Sequence, residues 1–206
     1  MRRGTVVRSL VAAVALGAGS VVLGALASGY GPLSLRPDPG VVWLRYLSGW
    51  LGAPWAWGLL GLALGWAAGR AVSAMVTATA GLLVAVLAYY VAKAAVGITP
   101  SLDWNSTRVW CVAALVTGPV LGVLGHVARR PRWSTLPAAL VGPALMAVDS
   151  RRTLASAGPT RPGADVAVLV AAAVVAAVLV ARVALAERER ATWTRRDRFD
   201  GGASRG

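Results

Sequence analysis

Lys93, Asp103 and Arg108 come closest to a chemical site in this chain. Two cations flank a polar loop, Gly97 to Arg108, and a carboxylate lies between them, with the Trp104 ring and the Asn105 amide beside it. Opposite charges in so short a segment can form a small outward polar cluster; the plainer reading is a solvated loop anchored at a membrane interface, where such pairs contribute little. Asp149 stands next to Arg151 and Arg152, where surface pairing is its default role. His126 is the only histidine and Cys111 the only cysteine. A lone cysteine forms no intrachain disulfide and no thiolate cluster, and a lone histidine needs further ligands to hold a metal, none of which is evident. Asn105-Ser106-Thr107 matches the glycosylation sequon, a pattern frequent by chance. The chain carries no phosphate-binding glycine loop, zinc signature or nucleophile elbow. The sequence implies no cofactor and no metal, and a non-enzymatic protein is expected.

The elements that must position these residues are apolar. The chain is 206 residues long, 57% hydrophobic and 14% charged, with a mean hydropathy of +0.64. A soluble domain of this size could not keep that much apolar surface out of water. Nearly every ionisable residue lies between apolar stretches, the pattern of helices that span a bilayer. The net charge of +13 could suggest nucleic acid, but no soluble basic domain is present to bind it, and basic loops that orient a membrane protein account for it. The lipid bilayer is the expected partner, with other membrane proteins or a second copy of the chain as candidates. Arginine supplies every basic residue but Lys93, and Ala, Gly and Val abound, a bias that points to a bacterial source.

Spans are predicted at about 9–27, 54–69, 71–91, 109–127, 133–148 and 166–186, followed by a mobile charged tail at 187–206. The first follows a basic start and resembles a secretory signal, since Ala25-Leu26-Ala27 fits a cleavage site; its length and the spans beyond it favour an uncleaved helix. Between the first two spans, Trp43, Leu44, Leu47, Trp50 and Leu51 fall on one helical face opposite Arg45 and Ser48, which predicts a short interfacial helix. Gly69-Arg70 leaves room only for a tight turn, so the second and third spans should form an antiparallel hairpin.

The fifth segment is the doubtful one. Leu136 to Val148 makes about 20 Å of helix at about 1.5 Å per residue, short of the roughly 30 Å hydrocarbon thickness. Charge arbitrates. With six spans and both termini cytoplasmic, 14 of the 21 basic residues lie inside and 7 outside; with five spans the split is 10 to 11 and the asymmetry is lost. The positive-inside rule therefore selects six spans, and a plasma-membrane bundle with a cytoplasmic C-terminus is expected.

Gly61, Gly65 and Gly69 form a GxxxGxxxG series in the second span, and Gly118 and Gly122 repeat the spacing in the fourth, near Gly125. Residues four apart share a helical face, so these glycines make grooves where a neighbouring backbone can approach closely. Packing within one chain is expected, with a homodimer face as the alternative. Pro119, Pro137 and Pro143 free backbone carbonyls within the membrane, which neighbouring helices can satisfy and which also occurs at transporter binding sites. No Asp, Glu, Lys or Arg falls near the middle of a predicted span, so the usual marker of ion coupling or catalysis is missing.

Three short motifs carry a resemblance: Gly52-Ala53-Pro54-Trp55 opening a span, Ala88-Tyr89-Tyr90 late in the next, and Gly118-Pro119-Val120-Leu121-Gly122 in the fourth. On these, the stretch from about Leu44 to Asp149 resembles a family of small actinobacterial multi-pass membrane proteins known only as a domain of unknown function. The resemblance implies a multi-span membrane protein and brings no activity or catalytic residues. The last span and its arginine-rich tail depart from that pattern. The function expected is a non-enzymatic structural or accessory membrane component, with a small transporter or channel subunit for a weakly polar or apolar solute as the alternative.

Overall fold

The structure, a computed structural model, describes residues 49–156 and 162–203, together with Val11, Val14, Ala15, Gly17, Ala18, Gly19, Val22 and Leu47. Among them run five α-helices: α1 (Pro54–Ala67), α2 (Ala71–Ala95), α3 (Trp104–Ala128), α4 (Leu136–Ser156) and α5 (Pro162–Ala203), with a 3-10 turn, Trp133–Thr135, leading into α4. No strand occurs among the described residues. Three helical segments, Ala71–Ala95, Trp104–Ala128 and Asp165–Thr192, are long and apolar enough to cross a membrane. The molecule is thus an all-α protein of membrane type.

Local chemistry sets the helix ends. Pro54 opens α1 where a missing N–H costs nothing. Past the end of α2, Gly97 takes φ +73°, and the Gly97 and Ile98 amides donate back to the Ala94 and Lys93 carbonyls at 3.2 and 3.0 Å. This doubly bonded stop needs a left-handed residue, and glycine supplies it without steric cost. Asp103 then caps α3, its carboxylate accepting from the Ser106 backbone amide at 3.1 Å.

α1 lies centrally, touching α2, α3 and α4, while α2 pairs with α3 and α4 with α5. Gly58, Gly61, Leu64 and Gly65 of α1 are buried. Met146 of α4 packs with Val168 and Ala172 of α5, and Trp50, Trp55 and Leu59 cover this cluster, joining the α4–α5 pair to the start of α1. The outer surface is valine-rich: Val72 and Val76 of α2, Val112, Val116 and Val120 of α3, and Val170, Val174 and Val178 of α5 are all exposed. Water would penalise a continuous apolar surface of this kind, whereas lipid does not.

Several predicted boundaries shift. The second span ends at Ala67 instead of residue 69, because Ala68 turns to extended backbone at ψ 139°. Helix α2 continues to Ala95, and α3 starts at Trp104 instead of residue 109, because Asp103 supplies a cap that the polarity of the loop concealed. The segment predicted at 133–148 opens as the 3-10 turn and continues as helix to Ser156. The gap left between the spans expected at 133–148 and 166–186 shrinks accordingly, and 157–161 lie outside the described residues. The charged segment from Glu187, expected as a mobile tail, continues as helix to Ala203; Ala, Glu and Arg are strong helix formers, and Arg190 donates to Glu187 at 2.9 Å one turn away.

Much of the predicted first span, its cleavage pattern, the following loop and positions 41–46 of the interfacial helix lie outside the described residues. Leu47 and 49–52 are helical. Gly17 is buried against α2, where an added Cβ would fall 3.1 Å from the Tyr89 amide and closer still to the Ala85 carbonyl oxygen. The first predicted span therefore passes directly over α2 at this point.

Candidate functional site

The Lys93 end of the bundle gathers aromatic and polar side chains from α1, α2 and α3. Tyr89 and Tyr90 stand one turn before Lys93, whose ammonium lies 5.6 and 5.8 Å from their ring centroids. The rings meet edge to face at 5.2 Å, and Trp57 of α1 meets Tyr89 likewise at 5.9 Å. A cation over two electron-rich faces is attracted by the ring quadrupoles.

Asp103 is used differently. It caps α3 through the Ser106 amide, and the Ser106 side chain bonds the same carboxylate. The Ser106 hydroxyl first, then its backbone amide, hold the Asp103 carboxyl below the usual range, with Lys93 adding a smaller attraction. Tyr90 of α2 lies within electrostatic reach of the same Ser106 hydroxyl and of Asp103, so polar groups of α2 and of the start of α3 meet at this end.

Of the three residues the sequence singled out, the structure brings Lys93 and Asp103 to one end around Tyr90 and Ser106. Arg108 is exposed and joins neither through a hydrogen bond or ion pair among the described residues. Trp104 is 61% exposed, so it faces outward instead of completing the cluster. The Thr99 hydroxyl, in the same loop, is buried without a partner among the described residues. Sequence reasoning missed Ser106 and Tyr90; the Asp103-x-x-Ser106 spacing is a capping signal that could have found the first. Asp149 lies within electrostatic reach of Arg152 and Asp165.

The glycine positions divide sharply. A Cβ on Gly65 would lie 2.7 Å from Gly122 Cα, and one on Gly122 would lie 2.9 Å from Met75 Cα. One on Gly118 would lie 2.6 Å from Thr79 Cα, and one on Gly61 would lie 3.0 Å from a methyl of Leu121. These four glycines, with Gly125 against the Leu62 carbonyl, set the spacing of α1, α2 and α3. Gly69 has no atom within 4 Å and is exposed in the turn, so the third member of the series takes no part.

At the opposite end, Arg129 Nη1 donates to the Ala68 carbonyl at 2.9 Å, and His126 Nδ1 lies 3.4 Å from the same oxygen. These contacts fasten the end of α3 to the end of α1. Nothing local in the sequence announces them, because the partners are 61 and 58 residues apart.

The two ends differ in charge. The first holds Lys93, Arg108, Arg151 and Arg152 against Asp103, Asp149 and Asp165; the second holds Arg70, Arg129, Arg130 and Arg132, and α5 returns toward it with Arg182, Arg188 and Arg190 against Glu187 and Glu189. Among the described residues no group of three or more His, Cys, Asp or Glu is placed to hold a metal.

Residues 46–194 match a family of unknown function, DUF6518. No curated protein and no solved structure matches the chain.

Proposed function

The chain belongs to the DUF6518 family of unknown function, and from that premise we propose that it is a bacterial plasma-membrane protein of six spans with both termini cytoplasmic, acting without catalysis as a structural or accessory component. The observation that carries this reading is the use of glycine. At Gly65, Gly122 and Gly125 the contacts are backbone against backbone between α1, α2 and α3, the arrangement by which helices gain contact in lipid. The polar groups at the Lys93 end support it: Asp103 is used to cap α3 through the Ser106 amide. The charge difference between the two ends supports the orientation, with the Arg129 end facing the cytoplasm.

The test is purification after mild detergent extraction. Stoichiometric partners that co-purify, with no solute flux after reconstitution, agree with the accessory reading; a protein that purifies alone and moves a solute in liposomes overturns it. A C-terminal reporter active only outside the cell would overturn the topology.

The alternative, a small transporter or channel for a weakly polar or apolar solute, is favoured by Pro119 inside α3 and Pro143 inside α4, each of which removes a helical amide donor. The unpartnered Thr99 hydroxyl at the outward end favours it too.

A further inference from the structure

Four arginines converge where α1 meets α2 and where α3 leads to α4. Arg70 follows the Ala68 turn, and Arg129, Arg130 and Arg132 follow α3. The two segments are held together because Arg129 donates to the Ala68 carbonyl at 2.9 Å, two residues before Arg70. The second segment is itself rigid. The Arg130 amide donates to Val127 at 3.2 Å, and the Arg132 amide donates to the Arg130 carbonyl at 2.9 Å. The Thr135 hydroxyl is shared between the Arg132 carbonyl at 3.0 Å and the Arg130 carbonyl, and accepts from the Arg132 amide at 3.3 Å. All of these bonds except the one from Arg129 use the arginines' backbone.

Apart from the Arg129 bond to Ala68, the guanidinium groups are left over. Arg70, Arg129, Arg130 and Arg132 are exposed, and among the described residues none of them forms an ion pair. Of the carboxylates, Asp103 is at the far end, Glu187 pairs with Arg190 on its own helix, and Glu189 forms no ion pair with these arginines among the described residues. Two tryptophans flank the cluster, Trp66 at 49% and Trp133 at 53% exposure. Exposed indole rings beside a charged turn mark the headgroup level of a bilayer. Guanidinium groups at that level meet lipid phosphates, which they bind bidentately and more readily than an ammonium does.

We propose that Arg70, Arg129, Arg130 and Arg132 form a binding surface for the phosphate headgroups of anionic phospholipids, with Arg129 as its fixed member. This rests on the membrane reading above but not on the accessory role. The surface faces lipid and not nucleic acid, because apolar side chains border it directly.

The test uses the full chain reconstituted in nanodiscs of mixed phosphatidylglycerol and phosphatidylcholine, then released into mild detergent for native mass spectrometry. Retained phosphatidylglycerol should exceed its share of the mixture, and inorganic phosphate at millimolar concentration should not displace it. Arg130→Gln with Arg132→Gln should cut the preference by about fivefold per arginine, the equivalent of about 1 kcal/mol for each basic group at an anionic surface. Arg108→Gln with Arg151→Gln removes the same charge at the other end and should leave the preference unchanged. Equal losses in both double variants would reduce the effect to net charge and overturn the site. Displacement by free phosphate would overturn the lipid assignment. A wild-type protein that enters nanodiscs but shows no preference at any lipid ratio would overturn the proposal alone, without recourse to a variant. A protein that fails to enter them would overturn the membrane reading with it.

Discussion

Gly65→Ala isolates the contact on which the bundle's spacing depends. The added Cβ would stand 2.7 Å from Gly122 Cα and 2.8 Å from its carbonyl carbon, where ordinary carbon contacts need about 3.5–4.0 Å. Both obstructing atoms are backbone, so no rotamer change relieves the overlap, and α1 and α3 must part by about 1 Å. Overpacking costs about 1–3 kcal/mol, and a backbone obstacle places this site at the upper end. Alanine returns about 1 kcal/mol through its better helix propensity. The net loss is therefore about 2 kcal/mol. Gly69→Ala is the control: it has no neighbour within 4 Å and no positive φ, so its effect should stay within about 0.5 kcal/mol. Unfolding by sodium dodecyl sulfate in mixed micelles, followed by tryptophan fluorescence, measures both. If Gly65→Ala proved as stable as Gly69→Ala, the close approach of α1 to α3 would be refuted. If it altered only oligomeric state, the glycine face would belong to a dimer.

Asp103→Ala should fray the start of α3 and lower the thermal midpoint, while Asp103→Asn, which also caps, should lower it less; hydrogen exchange at the Ser106 and Thr107 amides reads the difference. Because the Asp103 carboxyl is held below its usual range, the cap is fully present above the unfolded value near about 3.9 and is lost as pH falls through the lower folded value. A carbon-13 NMR titration of this carboxyl giving a midpoint at or above that of a free aspartate would count against the Ser106 bonds. Arg129→Gln should remove a charge-assisted bond to Ala68 worth about 1.5–3 kcal/mol, with faster exchange at the Ala68 amide, which donates to the Gly65 carbonyl at 3.2 Å, as its signature.

The sequence revealed what depends on composition and local spacing. Apolar length located α2, α3 and α5, and the four-residue glycine repeat located the close contacts at Gly61, Gly65, Gly118 and Gly122. It misjudged Gly69, because spacing says which residues share a face but not where the helix stops, and the chain leaves helix at Ala68. It left the charged stretch after Glu187 out of helix because charge was read as solvation, although the Glu187–Arg190 spacing is itself a helical signal. At the Lys93 end, charge drew attention to Arg108, yet Ser106 makes the contact to Asp103. Uncharged hydroxyls carry little sequence signal until a neighbouring helix brings a partner within reach.

The shortness of α1 gives the Arg129 bond its purpose. Its 14 residues make about 21 Å of helix, against roughly 30 Å of hydrocarbon. A helix of that length cannot put both ends in water, so the free carbonyls at one end come to lie within or just below the headgroup zone. Each unsatisfied carbonyl there costs several kcal/mol. Lipid offers no donor, so the protein must supply one. Ala68 presents such a carbonyl, and Arg129 and His126 come to it from α3, while Trp66 beside it stays exposed at the interfacial level. Helix α1 is also enclosed by α2, α3 and α4, so most of its backbone meets protein instead of acyl chains. On the six-span reading proposed above, a short central helix with its end capped from a neighbour serves as a span although its length alone argues against it. The same logic predicts that loss of the Arg129 donor should harm the protein more in thick bilayers than in thin ones. Equal stability of Arg129→Gln in bilayers of short and long acyl chains would refute it.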